Sequence, residues 1–140
     1  MSIRNLLLAG ALALGVAACS NSDMSNSSGM SDMSMAPAKA GNSAMGPVLV
    51  DTRGMTLYTF ERDTIPGKSV CNGPCAQNWP PLMASANARP SGDWTVINRE
   101  DGSKQWAYKG RPLYGWVRDQ KPGDTTGDGF MNGAWRAAKP

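Results

Sequence analysis

The sequence predicts an all-β fold, a small antiparallel sandwich or partly closed barrel made of two pseudo-symmetric copies of one unit. The first observation is an internal repeat: the motif at 54–63 returns at 110–119, shifted by 56 residues without a gap. An ungapped repeat of this kind defines the architecture of a chain. The second observation is composition. The chain has 16 glycines, 10 prolines and only 18% charged residues among 140, which favours turns and short strands over long helices.

Charge and histidine content exclude several classes of function. The formal net charge is +3 with both signs mixed along the chain, and there is no basic cluster of the kind that binds nucleic acid. Histidine is absent from the sequence, which removes the commonest general base and metal ligand. Asp63 and Asp119 remain acid–base candidates if they face one cleft, but their equivalent turn positions favour capping. We expect no catalytic residue, no cofactor and no enzymatic activity.

The N-terminus has the pattern of an export signal. A cationic start is followed by an apolar run from Leu6 to Val16 and by small residues before Cys19, which predicts a signal peptide at 1–18. The apolar run is too short to remain as a membrane-spanning helix. Val-Ala-Ala-Cys resembles the lipobox of bacterial lipoproteins, which implies that lipid on Cys19 holds the protein to a membrane. Ser20 after the cysteine implies, by the same resemblance, the outer membrane facing the periplasm.

Residues 19–46 are predicted to be a disordered, lipid-anchored tether. Ser, Asn, Met, Ala and Gly dominate this stretch, and it shows no apolar periodicity that would let it bury a core. Met30, Met33 and Met35 are weak candidate ligands for a soft metal, because thioether sulfur prefers Cu(I). The alternative is a compositional bias of an unconstrained tether.

The folded domain is predicted at 47–140, with the first copy at 47–83. Pro47–Asp51 and Met55–Phe60 read as the two strands of a hairpin. Tyr58 and Phe60 share one face of the second strand, because side chains alternate with period two. Asp63 then begins an Asp-led Pro-Gly turn. We expect the aromatic side chains to fill the core and the carboxylate to cap backbone N–H groups of the turn.

Cys71 and Cys75 are predicted to form a disulfide. They lie four positions apart around an Asn-Gly-Pro turn, and a close cysteine pair in an exported protein is usually oxidised. Cu(I) binding by two thiolates is the alternative, although two sulfurs without a nearby histidine make an incomplete site.

The second copy is predicted at 93–138, as a three-stranded meander with an Asp-Gly hairpin turn. Tyr114 and Trp116 share one strand face and match Tyr58 and Phe60, and Asp119 repeats the role of Asp63. The cysteine loop has no counterpart. Asp124 and Asp128 lie there among glycines, where polar capping of turns explains them better than a Ca²⁺ loop, since the EF-hand spacing is missing.

The two copies are predicted to share one core. A lone hairpin is marginal in water, and each copy presents an aromatic face that needs a cover. The other copy's equivalent face supplies that cover in the simplest arrangement, with the aromatic pairs near a pseudo-twofold axis.

The motifs of the two copies resemble a bacterial predicted-lipoprotein family, a secreted repeat of unknown function. The resemblance covers roughly 48–137 and is carried by two segments, Tyr58-Thr59-Phe60-Glu61-Arg62-Asp63 and Tyr114-Gly115-Trp116-Val117-Arg118-Asp119. These segments match the family's duplicated Tyr-x-(Phe/Trp/Tyr)-x-x-Asp pattern. The resemblance implies an exported, usually lipid-anchored protein. It brings no established reaction, cofactor or catalytic residue.

Two hypotheses for the function follow. The first is a non-enzymatic envelope lipoprotein whose β domain is structural or binds an envelope protein or a glycan. In that case one or two of the five tryptophans would be exposed as a stacking platform. The alternative is periplasmic handling of Cu(I) or Ag(I) through the methionine-rich tether or the cysteine pair.

Overall fold

The computed structural model describes Gly15 and residues 36–140. The predicted lipidation site Cys19, the tract with Met30, Met33 and Met35, and the signal peptide apart from Gly15 lie outside the described residues. The described strands and helices are short: β1 (Lys39–Ser43), β2 (Gly46–Val50), β3 (Tyr58–Phe60), α1 (Pro74–Asn78), β4 (Met83–Ala84), β5 (Trp94–Asn98), β6 (Lys104–Tyr108), β7 (Arg111–Pro112), α2 (Phe130–Gly133) and β8 (Trp135–Ala137). None of the helices in this part of the chain has the length and apolar character needed to cross a bilayer.

Each copy begins with an equivalent antiparallel hairpin. Strands β1 and β2 pair with Lys39 opposite Val50, and β5 and β6 pair with Thr95 opposite Ala107. The repeat shift of 56 carries Lys39 onto Thr95 but Val50 onto Trp106, so the pairing register of the second hairpin differs by one residue.

Strand β1 lies within the stretch that the sequence assigns to the tether. It carries no large apolar residue, so no periodicity marks it. Its backbone pairs with β2 along its whole length, and a Cβ at Gly41 would lie 2.6 Å from Cγ1 of Val50. The small residues that resemble a linker therefore allow β1 to lie close against the Val50 side chain.

The predicted hairpin between Pro47–Asp51 and Met55–Phe60 forms only near its turn, through a bridge between Val50 and Thr56. Beyond the turn, β3 pairs instead with β8 of the second copy, with Tyr58 opposite Ala137. The equivalent bridge joins Tyr114 to Pro81 of the first copy. The tyrosine segments of the two copies are therefore exchanged.

The predicted three-stranded meander of the second copy is present as β5, β6 and β7. Strand β4 of the first copy adds to the same sheet, because Met83 lies opposite Gln105 of β6. The sheets are antiparallel and no barrel closes among the described residues. The all-β, two-copy fold class is confirmed.

The pseudo-twofold axis passes between Tyr58 and Tyr114. The Tyr58 N–H donates to the Tyr114 carbonyl at 2.8 Å, and the Tyr114 N–H donates to the Tyr58 carbonyl at 3.0 Å. These equivalent residues are completely buried. The core around them draws on both copies and contains Val48, Val50, Phe60, Cys71, Trp79, Trp116, Trp135 and Ala137.

Neither copy is expected to fold alone. Residues 36–92 and 93–140, produced separately, should each give collapsed amide resonances and no cooperative melt, because β3 and β8 lose their partners. Mixing the two fragments should restore dispersed resonances. A cooperative melt of either fragment by itself would contradict the shared core.

Candidate functional site

Four aromatic rings form a continuous stack through the centre of the domain. In order, the rings are those of Phe60, Trp135, Trp79 and Trp116. Their successive centroid distances are 4.2, 3.8 and 3.9 Å, with interplanar angles of 15°, 3° and 23°. We call these four rings the aromatic stack.

The aromatic stack follows the pseudo-symmetry of the chain. Trp79 and Trp135 are equivalent residues and meet at the centre, while the equivalent Phe60 and Trp116 lie at the two ends. Arg62 lies over the Phe60 ring at 5.9 Å, and its equivalent Arg118 lies over the Trp116 ring at 5.6 Å. Both arginines are exposed. Each end of the stack is therefore capped by a cation, a contact worth about 0.5–1 kcal/mol at exposed sites.

Two crossed tyrosine–aspartate hydrogen bonds join the copies. The Tyr58 hydroxyl donates to Oδ2 of Asp119 at 2.5 Å, and the Tyr114 hydroxyl donates to Oδ2 of Asp63 at 2.6 Å. Each motif therefore supplies the tyrosine for one bond and the aspartate for the other. We call them the crossed pairs.

The second oxygen of each aspartate fastens a turn in its own copy. Oδ1 of Asp63 accepts from the Val70 N–H at 2.7 Å. Oδ1 of Asp119 accepts from the Thr126 N–H at 3.0 Å. Val70 and Thr126 are equivalent positions, so both carboxylates combine the turn contact expected from the sequence with a contact to the opposite tyrosine.

Burial governs the electrostatics of the crossed pairs. It raises the pKa of Tyr58 and of Tyr114 far above the usual range, and the aspartate that accepts each hydrogen bond adds to the effect. Burial also raises the pKa of the Asp63 carboxyl, although the bonds from Tyr114 and Val70 oppose this. The hydroxyls therefore stay protonated and act as hydrogen-bond donors.

A buried arginine lies beside one crossed pair only. Arg99 donates to Oγ of Ser69 at 3.0 Å and to Oε1 of Gln105 at 2.7 Å. It also donates to the Cys71 carbonyl at 2.6 Å. Oγ of Ser69 lies 2.6 Å from the Tyr114 hydroxyl, so the cation connects to that crossed pair. The residue of the first copy that is equivalent to Arg99 is Ser43, so the repeat pattern does not predict this arginine.

The Cys71–Cys75 disulfide is confirmed. With the two sulfurs bonded to each other, no thiolate pair is available for Cu(I). Within the described residues there is no group of three or more His, Cys, Asp or Glu side chains arranged to hold a metal ion. Asp124 accepts from the Gln120 and Lys121 N–H groups, and Asp128 accepts from the Ala137 N–H, so both cap backbone groups.

A groove of about 500 Å³ opens along the aromatic stack. It is lined by the rings, their two capping arginines and residues from both copies, namely Phe60, Arg62, Val70, Pro74, Cys75, Asn78, Trp79, Trp116, Arg118, Phe130, Met131 and Trp135. We call it the aromatic groove. Val70, Phe130 and Met131 are its exposed apolar residues.

Unfavourable backbone and an unpaired polar group are found at this groove. Met131 and Asn132 have φ values of 54° and 58°, a left-handed conformation that costs non-glycine residues on the order of 1 kcal/mol or more. Together with Phe130 and Gly133 they form α2, whereas the equivalent segment of the first copy is the regular helix α1. The Trp116 indole N–H is the only buried side-chain polar atom without a hydrogen-bond partner in the described part of the chain.

The residues predicted from sequence are distributed between scaffold and groove. Asp63 and Asp119 belong to the crossed pairs and do not line the groove. None of the five tryptophans is exposed. Trp94 and Trp106 are half-buried on the β5–β6 hairpin and the others are buried. Sequence reasoning missed Arg62 and Arg118, although an Arg-Asp dipeptide in both copies was a usable signal.

The crossed pairs should show as energetic coupling between copies. Tyr58→Phe removes a donor to a buried carboxylate and should lower the free energy of unfolding by about 1–3 kcal/mol. In a double-mutant cycle with Asp119→Asn, measured by urea unfolding, the two changes should be non-additive. The matched cycle of Tyr58→Phe with Asp63→Asn, in the same motif, should be additive within about 0.5 kcal/mol. Coupling within the motif and none across copies would contradict the assignment.

The close packing of Gly127 gives a second prediction. A Cβ there would lie 2.6 Å from Cη2 of Trp79 and 3.0 Å from Cε1 of Tyr58. Gly127→Ala should therefore destabilise the fold by about 1–3 kcal/mol through overpacking, seen as a lower Tm. Gly115→Ala is the control, because its nearest neighbour would be 3.8 Å away. Equal Tm values for the two variants would show that the stack has room to move.

Comparison with known proteins gives one family. A family model described as a secreted repeat of unknown function matches residues 39–83 and again 95–139. The matches cover more than half of the chain and agree with the repeat, and they indicate an extracellular or envelope location. No curated protein and no solved structure matches the chain. The chain belongs to this family of secreted repeats of unknown function.

Proposed function

We propose that the protein is a non-enzymatic binding module of the bacterial envelope, anchored through lipid on Cys19, whose aromatic groove holds an apolar ligand with negative charge. The observation that carries the proposal is the groove itself, in which aromatic rings lie between two arginines. The domain then presents one preformed site to the space around the membrane.

The size and lining of the groove support a small ligand. Its volume of about 500 Å³ lies within the range of roughly 300–1,000 Å³ that is typical of small-molecule sites. Such sites are mainly apolar with a few polar groups that fix orientation. Val70, Phe130 and Met131 provide exposed apolar surface, and the charged groups are at the ends of the stack.

The charge of the lining supports an anionic ligand. Arg62 and Arg118 are the only charged side chains among the lining residues, so no carboxylate in the described lining would repel an anion. Guanidinium groups form bidentate hydrogen bonds with carboxylate and phosphate.

The backbone of α2 is a further support. Residues in left-handed conformation persist where the surrounding structure enforces them, and they cluster at ligand-binding sites. Here the left-handed backbone at Met131 and Asn132 brings the side chains of Phe130 and Met131 to the groove.

Binding in the groove is tested with the fluorescent monoanion 1-anilinonaphthalene-8-sulfonate. Phe130→Ser removes exposed apolar lining and should raise the dissociation constant of the dye about tenfold. This corresponds to a loss of about 1.4 kcal/mol of binding free energy. Ile65→Ser is the control, because Ile65 is 55% exposed and lies outside the groove. Far-ultraviolet circular dichroism should be unchanged in both variants, since the backbone fold is retained. Equal weakening by the two substitutions would place the dye elsewhere and contradict the proposal.

The lipid anchor is tested on the exported protein. Cys19→Ala should move the protein from the membrane fraction to the soluble fraction, or leave the signal peptide uncleaved. Ser20→Ala should remain in the membrane fraction. Mass spectrometry should find the mature N-terminus at Cys19 with acyl chains attached. An unmodified mature N-terminus at another residue would refute lipidation.

A further inference from the structure

We infer that the aromatic groove selects an elongated apolar ligand with an anionic group at each end, one for Arg62 and one for Arg118. The inference rests on the proposed function, since it names the ligand class for the same groove. The inference goes beyond the proposed function because it requires two separated charges on one ligand molecule.

The first observation is the equivalence of the two cations. Arg62 and Arg118 occupy the same position in the two motifs, and each guanidinium lies over the ring at its own end of the aromatic stack. Both are exposed. Among the residues that the structure describes, neither forms a salt bridge, whereas Arg111 pairs with Glu61 at 2.8 Å. Both therefore remain available to an external anion.

The second observation is the separation of the cations. Three ring-to-ring steps of 4.2, 3.8 and 3.9 Å separate Phe60 from Trp116, and one arginine lies over each of these end rings. A ligand with a single charge can reach only one end. A ligand with two charges on a short body also reaches only one end, so the spacing selects for length as well as charge.

The third observation is the apolar lining of the groove. Val70, Phe130 and Met131 line it with exposed apolar side chains, whereas Trp79 and Trp135 of the lining are already buried. A hydrocarbon or aromatic body that joins the two anionic groups would bury apolar surface against the three exposed side chains, which stabilises binding. A polar linker would lose that contribution.

The test compares dodecanedioate with dodecanoate, which has the same chain and one carboxylate fewer. Isothermal titration calorimetry on the full mature chain should give a dissociation constant about tenfold lower for the dianion, because a second charge-assisted hydrogen bond forms. Butanedioate should gain no such advantage, because it is too short to reach from one end of the stack to the other.

Single substitutions identify the two ends. Arg62→Gln and Arg118→Gln should each raise the dissociation constant for dodecanedioate to about the level of dodecanoate. Arg89→Gln is the matched control, since Arg89 is exposed and outside the groove, and it should leave both constants unchanged. Unchanged near-ultraviolet circular dichroism in the variants would show that the aromatic stack is intact.

Two results would overturn the inference. One is equal affinity of the unsubstituted protein for dodecanedioate and dodecanoate. The other is that one of the two arginine substitutions lowers the affinity for dodecanedioate while the other leaves it unchanged. If 1-anilinonaphthalene-8-sulfonate still binds with the expected sensitivity to Phe130→Ser, the proposed function stands and only the two-anion selection fails. If neither the dye nor the dioate binds in the groove, both fail.

Discussion

The crossed pairs are the constraint on which the rest of the fold depends. A tyrosine hydroxyl buried without a partner costs on the order of 1 kcal/mol or more, and Tyr58 and Tyr114 are completely buried. Each finds its acceptor in the opposite copy, at Asp119 or Asp63. Since neither copy satisfies its own tyrosine, the chain satisfies both only by interleaving. The pairing of β3 with β8, and of Tyr114 with Pro81, joins the backbones of the two copies in agreement with the same constraint.

Interleaving also determines what lies at the centre. With the axis between the two tyrosines, the equivalent Trp79 and Trp135 meet face to face at 3.8 Å, and Phe60 and Trp116 continue the stack outward. Arg62 and Arg118, two residues after these end rings in the sequence, then lie at opposite ends of one groove. The same short motif thus supplies the hydrogen bonds of the scaffold, the end rings of the stack and the cations of the candidate site.

Sequence reasoning identified the motif, the copy number, the shared aromatic core and the disulfide, because the repeat shift and the cysteine spacing are visible along the chain. It missed the exchange of strands, since period-two alternation marks the buried face of Tyr58 and Phe60 without naming the neighbouring strand. It missed β1, whose small residues resemble a linker. Arg99 was also missed, because its partners Ser69, Gln105 and Cys71 are brought together only by the tertiary fold.

The departures from symmetry have a consequence of their own. In the first copy the segment along the groove is a regular helix closed by the Cys71–Cys75 bond, and in the second it is the left-handed turn with Phe130 and Met131. The two ends of the groove therefore have equivalent cations but different neighbouring segments. Even a ligand with identical ends would meet a different surface at each end. The duplicated site thus has a direction along its length, although its charges repeat.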